Sequence, residues 1–324
     1  MTDLKVLLNS YYSGANAWFA LGEERGLFAD EGLDVAFVAG SGAYRAPAMM
    51  IEGGFDLTFG DMCSLVGLLA RLTGAGPAAI YAIHHRSPSA VAVPSDGPIH
   101  VPADLEGRRL ITHASDVAYR SFPAYAKAAG LDRAKVEIDI SDDPMAAMLQ
   151  TMLAGQADGV FGYISSQKAV LRQADPALAG RLRFLPFPAI VPDLYGSVVM
   201  ASRPAIEGKA EALRAFLRAL NLSLLAAVAD PEAAVAAALA RNPALDRTIE
   251  LDRWTGTIGD EMTHPETAVS GFGAMDPARL GRAADLLAET TPLPRAPSAE
   301  EMFDPAFLPA AADRLRLAEA VRLS

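Results

Sequence analysis

The chain is poor in cysteine and in positive charge, and each shortage excludes a class of protein. Its 324 residues include one cysteine, Cys63, so neither a disulfide framework nor a cluster of thiolate metal ligands can form. Lysine and arginine number 28 against 39 aspartates and glutamates, and the formal net charge of -11 repels nucleic-acid phosphates and anionic lipid. Because no basic stripe offsets this charge, we expect no nucleic-acid partner.

Long uninterrupted hydrophobic runs are also missing. The most apolar stretch, residues 215–240, contains four charged or amide side chains, whereas a membrane-spanning helix needs about 20 nearly uncharged residues. The chain begins Met-Thr-Asp and enters an apolar run at Leu4, which leaves no room for a signal peptide. We therefore expect no membrane insertion. The protein is then either cytoplasmic or has lost an export signal.

The rest of the composition is that of a folded protein, with 51% hydrophobic and 21% charged residues, and its length suits two lobes. Short apolar runs alternate with helical patterns in two series, which is typical of parallel strands joined by crossover helices. The predicted strands are residues 4–8, 35–38, 55–59, 78–83, 110–112, 136–140 and 159–161. The predicted helices are residues 16–25, 46–52, 64–72, 119–129, 144–153 and 165–172.

After residue 204 the chain is rich in alanine and leucine, and we expect only helices there. Residues 206–225 predict one long helix, the Asp-Pro pairs at 230–231 and 276–277 predict helix starts, and a further helix is expected to start at Asp246 or Thr248. An all-helical appendix of this kind is expected to pack on lobe I as a buttress.

The two α/β series are related by an internal repeat. At an offset of 102, the pattern Met50-x-x-Gly53-x-x-Asp56-x-x-Phe59-Gly60 matches residues 152–162, with five identities in eleven positions where about one is expected by chance. In each copy a helix ends at the glycine, for which we expect a positive φ, and an apolar strand leads directly into the next helix. The chain therefore contains the same α-β-α-β unit twice.

The repeat predicts where a ligand would bind. In open parallel sheets, ligands bind beyond the carboxyl ends of the strands, where helix N-termini offer free N–H groups. Two such lobes facing each other form a cleft with helix starts on both walls. The alternative is a pair of ordinary α/β domains that share no site.

Several motifs in this order resemble a known family. They are Glu24–Val35 (ERGLFADEGLDV), the Gly40-Ser41-Gly42 loop, Gly53-x-x-Asp56, Val101–Leu110 (VPADLEGRRL) and Gly155–Val160 (GQADGV). Together they are similar to the type II solute-binding proteins of ABC importers, in the branch for nitrate, sulfonates, taurine and thiamine-pyrimidine precursors. The resemblance covers about residues 4 to 200.

The resemblance implies a fold class of α/β, with two doubly wound lobes, a hinge and a helical C-terminal extension on lobe I. Lobe I would comprise residues 1–88 and 202–324, and lobe II residues 89–201. The hinge would lie near residues 91–94 and 197–201. The lobes would close on a small solute and present it to permease subunits, as a monomeric protein located in the periplasm.

Candidate ligand-binding residues in lobe I follow its strands. The family pattern places ring-stacking or hydroxyl-bearing residues after the first strand, where the chain has Tyr11, Tyr12 and Ser13. The loop with Ser41, Gly42 and Tyr44 offers small residues, free N–H groups and a hydroxyl for a ligand oxygen. Two further candidates follow the third strand, Asp61 and Met62. Asp61 is either the cap of the next helix or an acceptor for a ligand amine.

Lobe II supplies the remaining candidates, His113, Ser115, Asp116, Tyr163 and Tyr195. His113 can donate or accept a hydrogen bond, and Ser115 and Asp116 can also cap a helix. Tyr163 occupies the position that matches Asp61 in the repeat. The number of tyrosines favours a planar or heterocyclic solute over nitrate.

The fold also accommodates enzymes, so catalysis is the alternative function. Pyrimidine-precursor synthases of this fold carry a cysteine-rich iron motif that is absent here, and a reaction like that of a desulfinase or decarboxylase needs a nucleophile. Cys63 is the one candidate, with His85 or His113 as its partner, but a buried, inert cysteine is the commoner case. Adjacent His84 and His85 point to opposite sides of a strand and cannot chelate one ion. We predict no catalysis, no cofactor and no metal.

Overall fold

The computed structural model describes residues 1–317, in which ten strands form two five-stranded sheets. Sheet A has the order β2-β1-β3-β10-β4, and sheet B has the order β7-β6-β8-β5-β9. The strands of sheet A are β1 (Thr2–Leu7), β2 (Leu33–Val38), β3 (Leu57–Asp61), β4 (Ala78–Ala82) and β10 (Ser197–Ala201). Those of sheet B are β5 (Ser89–Pro94), β6 (Arg109–Thr112), β7 (Glu137–Ile140), β8 (Gly159–Tyr163) and β9 (Leu182–Pro186).

All six predicted helices are present in the two lobes, which also contain one short helix, Leu27–Asp30, that the sequence patterns did not predict. Lobe I has α1 (Ala17–Glu24), α2 (Leu27–Asp30), α3 (Ala46–Glu52) and α4 (Met62–Leu69). Lobe II has α5 (Val117–Ala129), α6 (Met145–Leu153) and α7 (Ile164–Ala174). In each sheet four strands run in the same direction and the added strand, β10 or β5, is antiparallel to both of its neighbours, so each lobe is a mixed α/β layer. The predicted fold class is confirmed.

Each sheet receives its antiparallel strand from a segment that crosses between the lobes. Residues 83–88 lead from β4 into β5, which lies between β8 and β9, and residues 187–196 lead from β9 into β10, which lies between β3 and β4. The prediction that lobe II extends to residue 201 is therefore wrong for β10, because the strand hydrogen-bonds to sheet A. The predicted hinge strands lie inside the sheets, directly after the crossing segments.

Between residues 202 and 317 the regular secondary structure is helical, as predicted. Its helices are α8 (Arg203–Gly208), α9 (Ala210–Ala229), α10 (Pro231–Arg241), α11 (Arg247–Gly256), α12 (Pro265–Ser270), α13 (Pro277–Thr290) and α14 (Ala299–Met302). The predicted long helix is interrupted at Lys209. The carboxylates of Asp230, Asp246 and Asp276 accept backbone N–H groups at three helix starts, as predicted.

This helical extension contacts both lobes. Helices α9 and α10 pack on α1 of lobe I, whereas α11 packs against α7 and α13 against α5, both of lobe II. One buried apolar cluster contains Leu65 of α4, Phe122 of α5 and Leu280 of α13 and thereby joins all three parts. Packing on lobe I alone, as the sequence suggested, is thus only part of the arrangement.

Among the described helices, α9 alone is long and apolar enough to cross a membrane by length and composition. In this structure 61% of its most apolar window is buried, and it lies against α1, α2 and α10.

The internal repeat corresponds to equivalent hydrogen bonds in the two lobes. The Asp56 N–H donates to the Lys5 carbonyl, and the Lys5 N–H donates back to the Asp56 carboxylate at 2.9 Å. Asp158 and Arg109 exchange the same pair of bonds in lobe II. The glycines differ slightly, because Gly155 has the expected positive φ of 75° but Gly53 has φ −89° and the next residue, Gly54, takes the positive value of 64°.

Candidate functional site

The carboxyl ends of β3 and β8 face each other across a cleft between the lobes. β3 ends at Asp61, directly before α4, and β8 ends at Tyr163, directly before α7. The Tyr163 hydroxyl donates to the Asp61 carboxylate at 3.2 Å. These two residues are 102 positions apart and are therefore equivalent in the repeat. The repeat thus brings its two copies together at the candidate site.

The cleft has two connected parts, which we call pocket A and pocket B. Pocket A has a volume of about 290 Å³ and pocket B of about 170 Å³. Four residues line both parts and join them: Asn9, Ser10, Tyr163 and Ser166.

Pocket A gathers most of the predicted residues from both lobes. Its lining includes Ser41, Gly42 and Tyr44 from lobe I and His113, Ser115, Asp116 and Tyr163 from lobe II. Val117 and Met145 add apolar surface. Such a mixture of hydroxyl, imidazole, carboxyl and apolar groups is suited to a small organic molecule with several polar atoms.

Hydrogen bonds already occupy part of the pocket A lining. His113 Nε2 lies 2.7 Å from the Asp143 carbonyl, so this nitrogen carries a proton and donates it to that oxygen. Asp116 caps α5 through the Tyr119 N–H at 3.1 Å, and burial raises the pKa of its carboxyl. The Gly42 N–H, which the sequence suggested would be free for a ligand, donates to the Asn9 carbonyl at 2.7 Å.

Pocket B is lined by buried polar side chains that the sequence analysis did not select. Predicted residues Tyr11 and Ser13 line it together with Asn16, His84, Ser165, Arg253 and Glu261. The last two come from the helical extension, more than 80 residues beyond the last helix predicted in lobe II.

Glu261 links the extension to both lobes at the floor of pocket B. It lies in a π-helical turn, Thr257–Met262, which follows α11, and such turns are frequent at functional sites. The Ser165 hydroxyl of lobe II donates to Glu261 at 2.6 Å, and His84 Nδ1 of the first crossing segment lies 3.4 Å from the same carboxyl. Burial raises the pKa of Glu261 to about 7 and lowers that of His84 to about 3, so His84 is neutral.

Arg253 is the one cationic side chain in the described lining of pockets A and B. Its guanidinium lies 3.4 Å from the Glu250 carboxylate, and both side chains are buried. Glu250 also accepts the Gly14 N–H at 2.6 Å, which ties the extension to the loop after β1. The Arg253 Nε–H is buried without a partner among residues 1–317, so it is available to a ligand acceptor.

Three predicted site residues lie outside the cleft. The Tyr12 hydroxyl donates to Glu23 of α1, and its ring lies under Arg241 of α10, because Tyr11 and Tyr12 point in opposite directions. Met62 is buried in the core. Tyr195 lies under α13, where its hydroxyl donates to Glu266 at 2.7 Å and its ring contacts Arg279.

Asp61 lies behind the cleft wall and caps the next helix, which is the first of the two roles considered for it. Its carboxylate caps α4 through the Cys63 N–H at 2.8 Å and accepts the Tyr163 hydroxyl. Burial raises its pKa to about 6 despite these hydrogen bonds. Asp61 therefore positions Tyr163, which itself lines both pockets.

Cys63 does not face pocket A or pocket B. Its side chain lines a different pocket beside α4, and burial together with the neighbouring Asp61 raises the pKa of its thiol. These two effects outweigh the lowering of a thiol pKa that a helix N-terminus causes. Among the described residues, no group of histidine, cysteine or carboxylate side chains is arranged to hold a metal ion.

Of the residues missed by the sequence analysis, only His84 had a signal. His84 and His85 do point to opposite sides, His84 toward Trp18 and Phe59, and His85 toward Tyr195 and Phe272. The alternation therefore predicted their separation but not that one of them reaches the cleft.

Comparisons with known proteins add a family and a fold. The model of the NMT1/THI5-like family matches residues 16–234, and no curated protein matches the sequence. The fold is similar to that of the alkanesulfonate-binding protein SsuA from Xanthomonas axonopodis pv. citri bound to MOPS, with 14% identity, coverage of 94% of this chain and 98% of that chain, and a TM-score of 0.71.

Two further structures extend the likeness. The periplasmic aliphatic sulphonate binding protein SsuA from Escherichia coli is 15% identical over 93% of this chain and 97% of its own, with a TM-score of 0.69. The desulfurization enzyme DszB is 16% identical over 97% of this chain and 99% of its own, with a TM-score of 0.60. At these identities the likeness establishes the two-lobed fold of the periplasmic binding proteins.

Proposed function

The chain belongs to the NMT1/THI5-like family, and from this premise we propose that it is the substrate-binding component of an ABC importer. It binds a small organic solute between its lobes and delivers it to permease subunits outside the cytoplasm. The observation that best supports this proposal is the cleft, to which both lobes contribute lining residues. The two copies of the repeat meet there at the Tyr163–Asp61 hydrogen bond. Closure of two lobes on a ligand is a general mechanism for a cleft of this kind.

The chemistry of the lining supports a solute with several polar atoms. Pocket A offers hydroxyl groups, the His113 imidazole and the Tyr44 ring, and pocket B offers the Arg253 guanidinium. A thiamine-pyrimidine-like heterocycle, an aromatic acid or a sulfonate has polar atoms that could pair with such groups. The two crossing segments, residues 83–88 and 187–196, serve as the hinge in this proposal.

The absence of catalysis is also part of the proposal. The only cysteine, Cys63, lines a pocket outside the cleft, and its raised pKa keeps the thiol protonated. A thiol is a much weaker nucleophile than a thiolate. The fold is shared with DszB, so catalysis remains the competing function that the experiment has to separate.

A ligand screen tests the proposal. We expect one class among pyrimidines, aromatic carboxylates and alkanesulfonates to raise the melting temperature by a few degrees, since a ligand at a hundredfold excess over its Kd adds about 2.7 kcal/mol to the stability. Ser166→Trp should abolish the shift, because Ser166 lines both pockets. Gln173→Trp, an exposed position on the same helix, is the matched control and should retain it.

The same samples distinguish a binding protein from an enzyme. Chromatography of each bound compound after prolonged incubation should return it unchanged. Product formation that disappears in Cys63→Ala would contradict the proposal and support the enzyme. A melting shift that survives in Ser166→Trp would place the ligand outside the cleft.

A further inference from the structure

A second interlobe pocket lies beside α4, α5 and the end of α13. Its volume is about 250 Å³, and three arginines line it. Arg71 follows α4 of lobe I, Arg120 belongs to α5 of lobe II, and Arg133 lies in the turn after α5. We call this cavity the arginine pocket.

The charge of the arginine pocket is not balanced by the protein. None of its described lining residues carries a carboxylate, although the chain has a net charge of -11. Arginines elsewhere pair with acids, as in Arg218 with Glu31 at 2.7 Å and Arg282 with Asp193 at 2.8 Å. Three guanidinium groups around one cavity repel one another, and an anion between them removes that repulsion.

The hydrogen bonds of the three arginines leave donors unused. Arg71 donates to the Gly67 carbonyl at 2.6 Å and Arg120 to the Ala114 carbonyl at 2.6 Å, both neutral acceptors. Within residues 1–317 the Arg133 guanidinium has neither a hydrogen-bond nor an ion-pair partner. A guanidinium carries five N–H donors, so most of the donor capacity around this pocket is free.

Arg120 is also held in place before any ligand arrives. Its guanidinium lies 5.3 Å from the Tyr44 ring centre and 5.6 Å from that of Tyr119, distances at which a cation is attracted to an aromatic face. The hydroxyls of Thr290 and Thr291 donate to carbonyls of α13, which leaves the arginines as the charged donors of the pocket.

We propose that the arginine pocket is a second binding site, which takes a small molecule carrying a phosphate group. Arginine forks match the paired oxygens of phosphate, and a phosphate monoester carries nearly two negative charges, which suits three cations better than a singly charged carboxylate or sulfonate. The side chains of Pro123, Leu287 and Leu293 provide apolar surface for the rest of the molecule.

This site is separate from the cleft but adjoins it. Tyr44 is the one described residue that lines both the arginine pocket and pocket A, and no described residue lines both the arginine pocket and pocket B. Because both lobes contribute arginines, an occupant favours the arrangement in which the lobes are together. By linkage, a ligand of the cleft and the phosphate compound then strengthen each other's binding.

Calorimetric titration of the full chain with inorganic phosphate and with phenyl phosphate tests the proposal, with phenyl sulfonate as the singly charged comparison. We expect one site per chain, tighter binding of phenyl phosphate than of either other compound, and at least tenfold weaker binding in Arg71→Gln and in Arg133→Gln. Both side chains lie at the surface, so the variants are expected to fold. Arg247→Gln, which removes an exposed arginine paired with Glu232, is the control and should bind normally.

Equal binding in all three arginine variants, no binding at all, or tighter binding of phenyl sulfonate than of phenyl phosphate would overturn the proposal. Ser166→Trp separates this outcome from failure of the solute-binding function. Phosphate binding that survives in Ser166→Trp locates the compound outside the cleft. Binding that is lost there and retained in the arginine variants assigns phosphate to the cleft and refutes the second site.

Discussion

The two lobes attach their repeated turn in the same way and differ where the following strand ends. Asp56 and Asp158 each form two hydrogen bonds with the backbone of one residue, Lys5 or Arg109. In each pair the aspartate N–H donates to the carbonyl of that residue, and the aspartate carboxylate accepts its N–H. Five residues later, lobe I has Asp61 and lobe II has Tyr163. The turn determines how the unit folds, so it is the same in both copies, whereas the strand end faces the partner lobe and has diverged.

The divergence creates complementary partners. A carboxylate opposite its own copy would meet a second carboxylate, and like charges at that distance repel. With a tyrosine on the other lobe, one side donates and the other accepts at 3.2 Å. The difference teaches that a duplicated unit builds an interlobe contact by changing one side of it.

The largest effect is expected from the ionisation of Asp61. Burial raises its pKa from 3.8 to about 6, so the stability associated with this group is fully present below pH 3.8 and is lost as the pH rises through 6. Asp61→Asn removes this loss and should gain stability relative to the wild type by on the order of 3 kcal/mol between pH 4 and pH 7. Urea unfolding at four pH values measures the difference.

Tyr163→Phe sharpens this comparison. The tyrosine hydroxyl stabilises the ionised Asp61, so its removal should move the upper end of the pH window above 6. If the unfolding free energies of the wild type and Asp61→Asn change with pH in parallel, the pKa of Asp61 is the same in the folded and unfolded protein, which would contradict this account.

A smaller effect is expected from the shared turn, and it should be unequal between the lobes. Asp56→Ala leaves the Lys5 N–H without its acceptor and breaks the 2.9 Å ion pair with Lys209, at a cost of about 2 kcal/mol. Asp158→Ala should cost about 1 kcal/mol, since Asp158 is 35% exposed and its ion pair with Arg108 is longer, at 3.5 Å. Unfolding free energies at neutral pH that are equal, or reversed in order, would contradict this account.

The smallest effect concerns the glycines that end the repeated helix. Gly54 and Gly155 have φ values of 64° and 75°, and an added Cβ meets no neighbour at either position. Alanine should therefore cost about 1 kcal/mol at both sites through backbone strain alone. Asparagine, which tolerates this conformation, should cost less than alanine. Thermal melts of the four variants measure these costs. Equal costs at the two sites would show that the positive-φ position differs by one residue between the lobes but carries the same backbone strain.

The sequence predicted those parts of the fold that depend on local pattern. Short apolar runs located seven of the ten strands, and Asp-Pro pairs located two helix starts. The lobe assignment of β10 was wrong because a strand's sheet is decided by its hydrogen-bond partners, here β3 and β4, which are more than 100 residues away. Likewise, the amphipathic pattern of α13 indicates a buried face but not that the face spans two lobes.

The same limit applies to the candidate site. The loops after the strands were found because the carboxyl ends of parallel strands share an edge, and pocket A gathers Ser41, His113 and Tyr163 from them. The prediction that Tyr12 lines the cleft was wrong, because the sequence alone does not show which of two adjacent tyrosines faces it. Glu261 and Arg253 were missed because only tertiary packing brings the extension to pocket B.

The position of β10 has a consequence for biosynthesis. β4 has no strand partner in its sheet other than β10, which is translated more than 100 residues later. All five strands of sheet B, from Ser89 to Pro186, leave the ribosome before Ser197 does. The nascent chain therefore contains all strands of sheet B while sheet A, although its synthesis began earlier, still lacks β10.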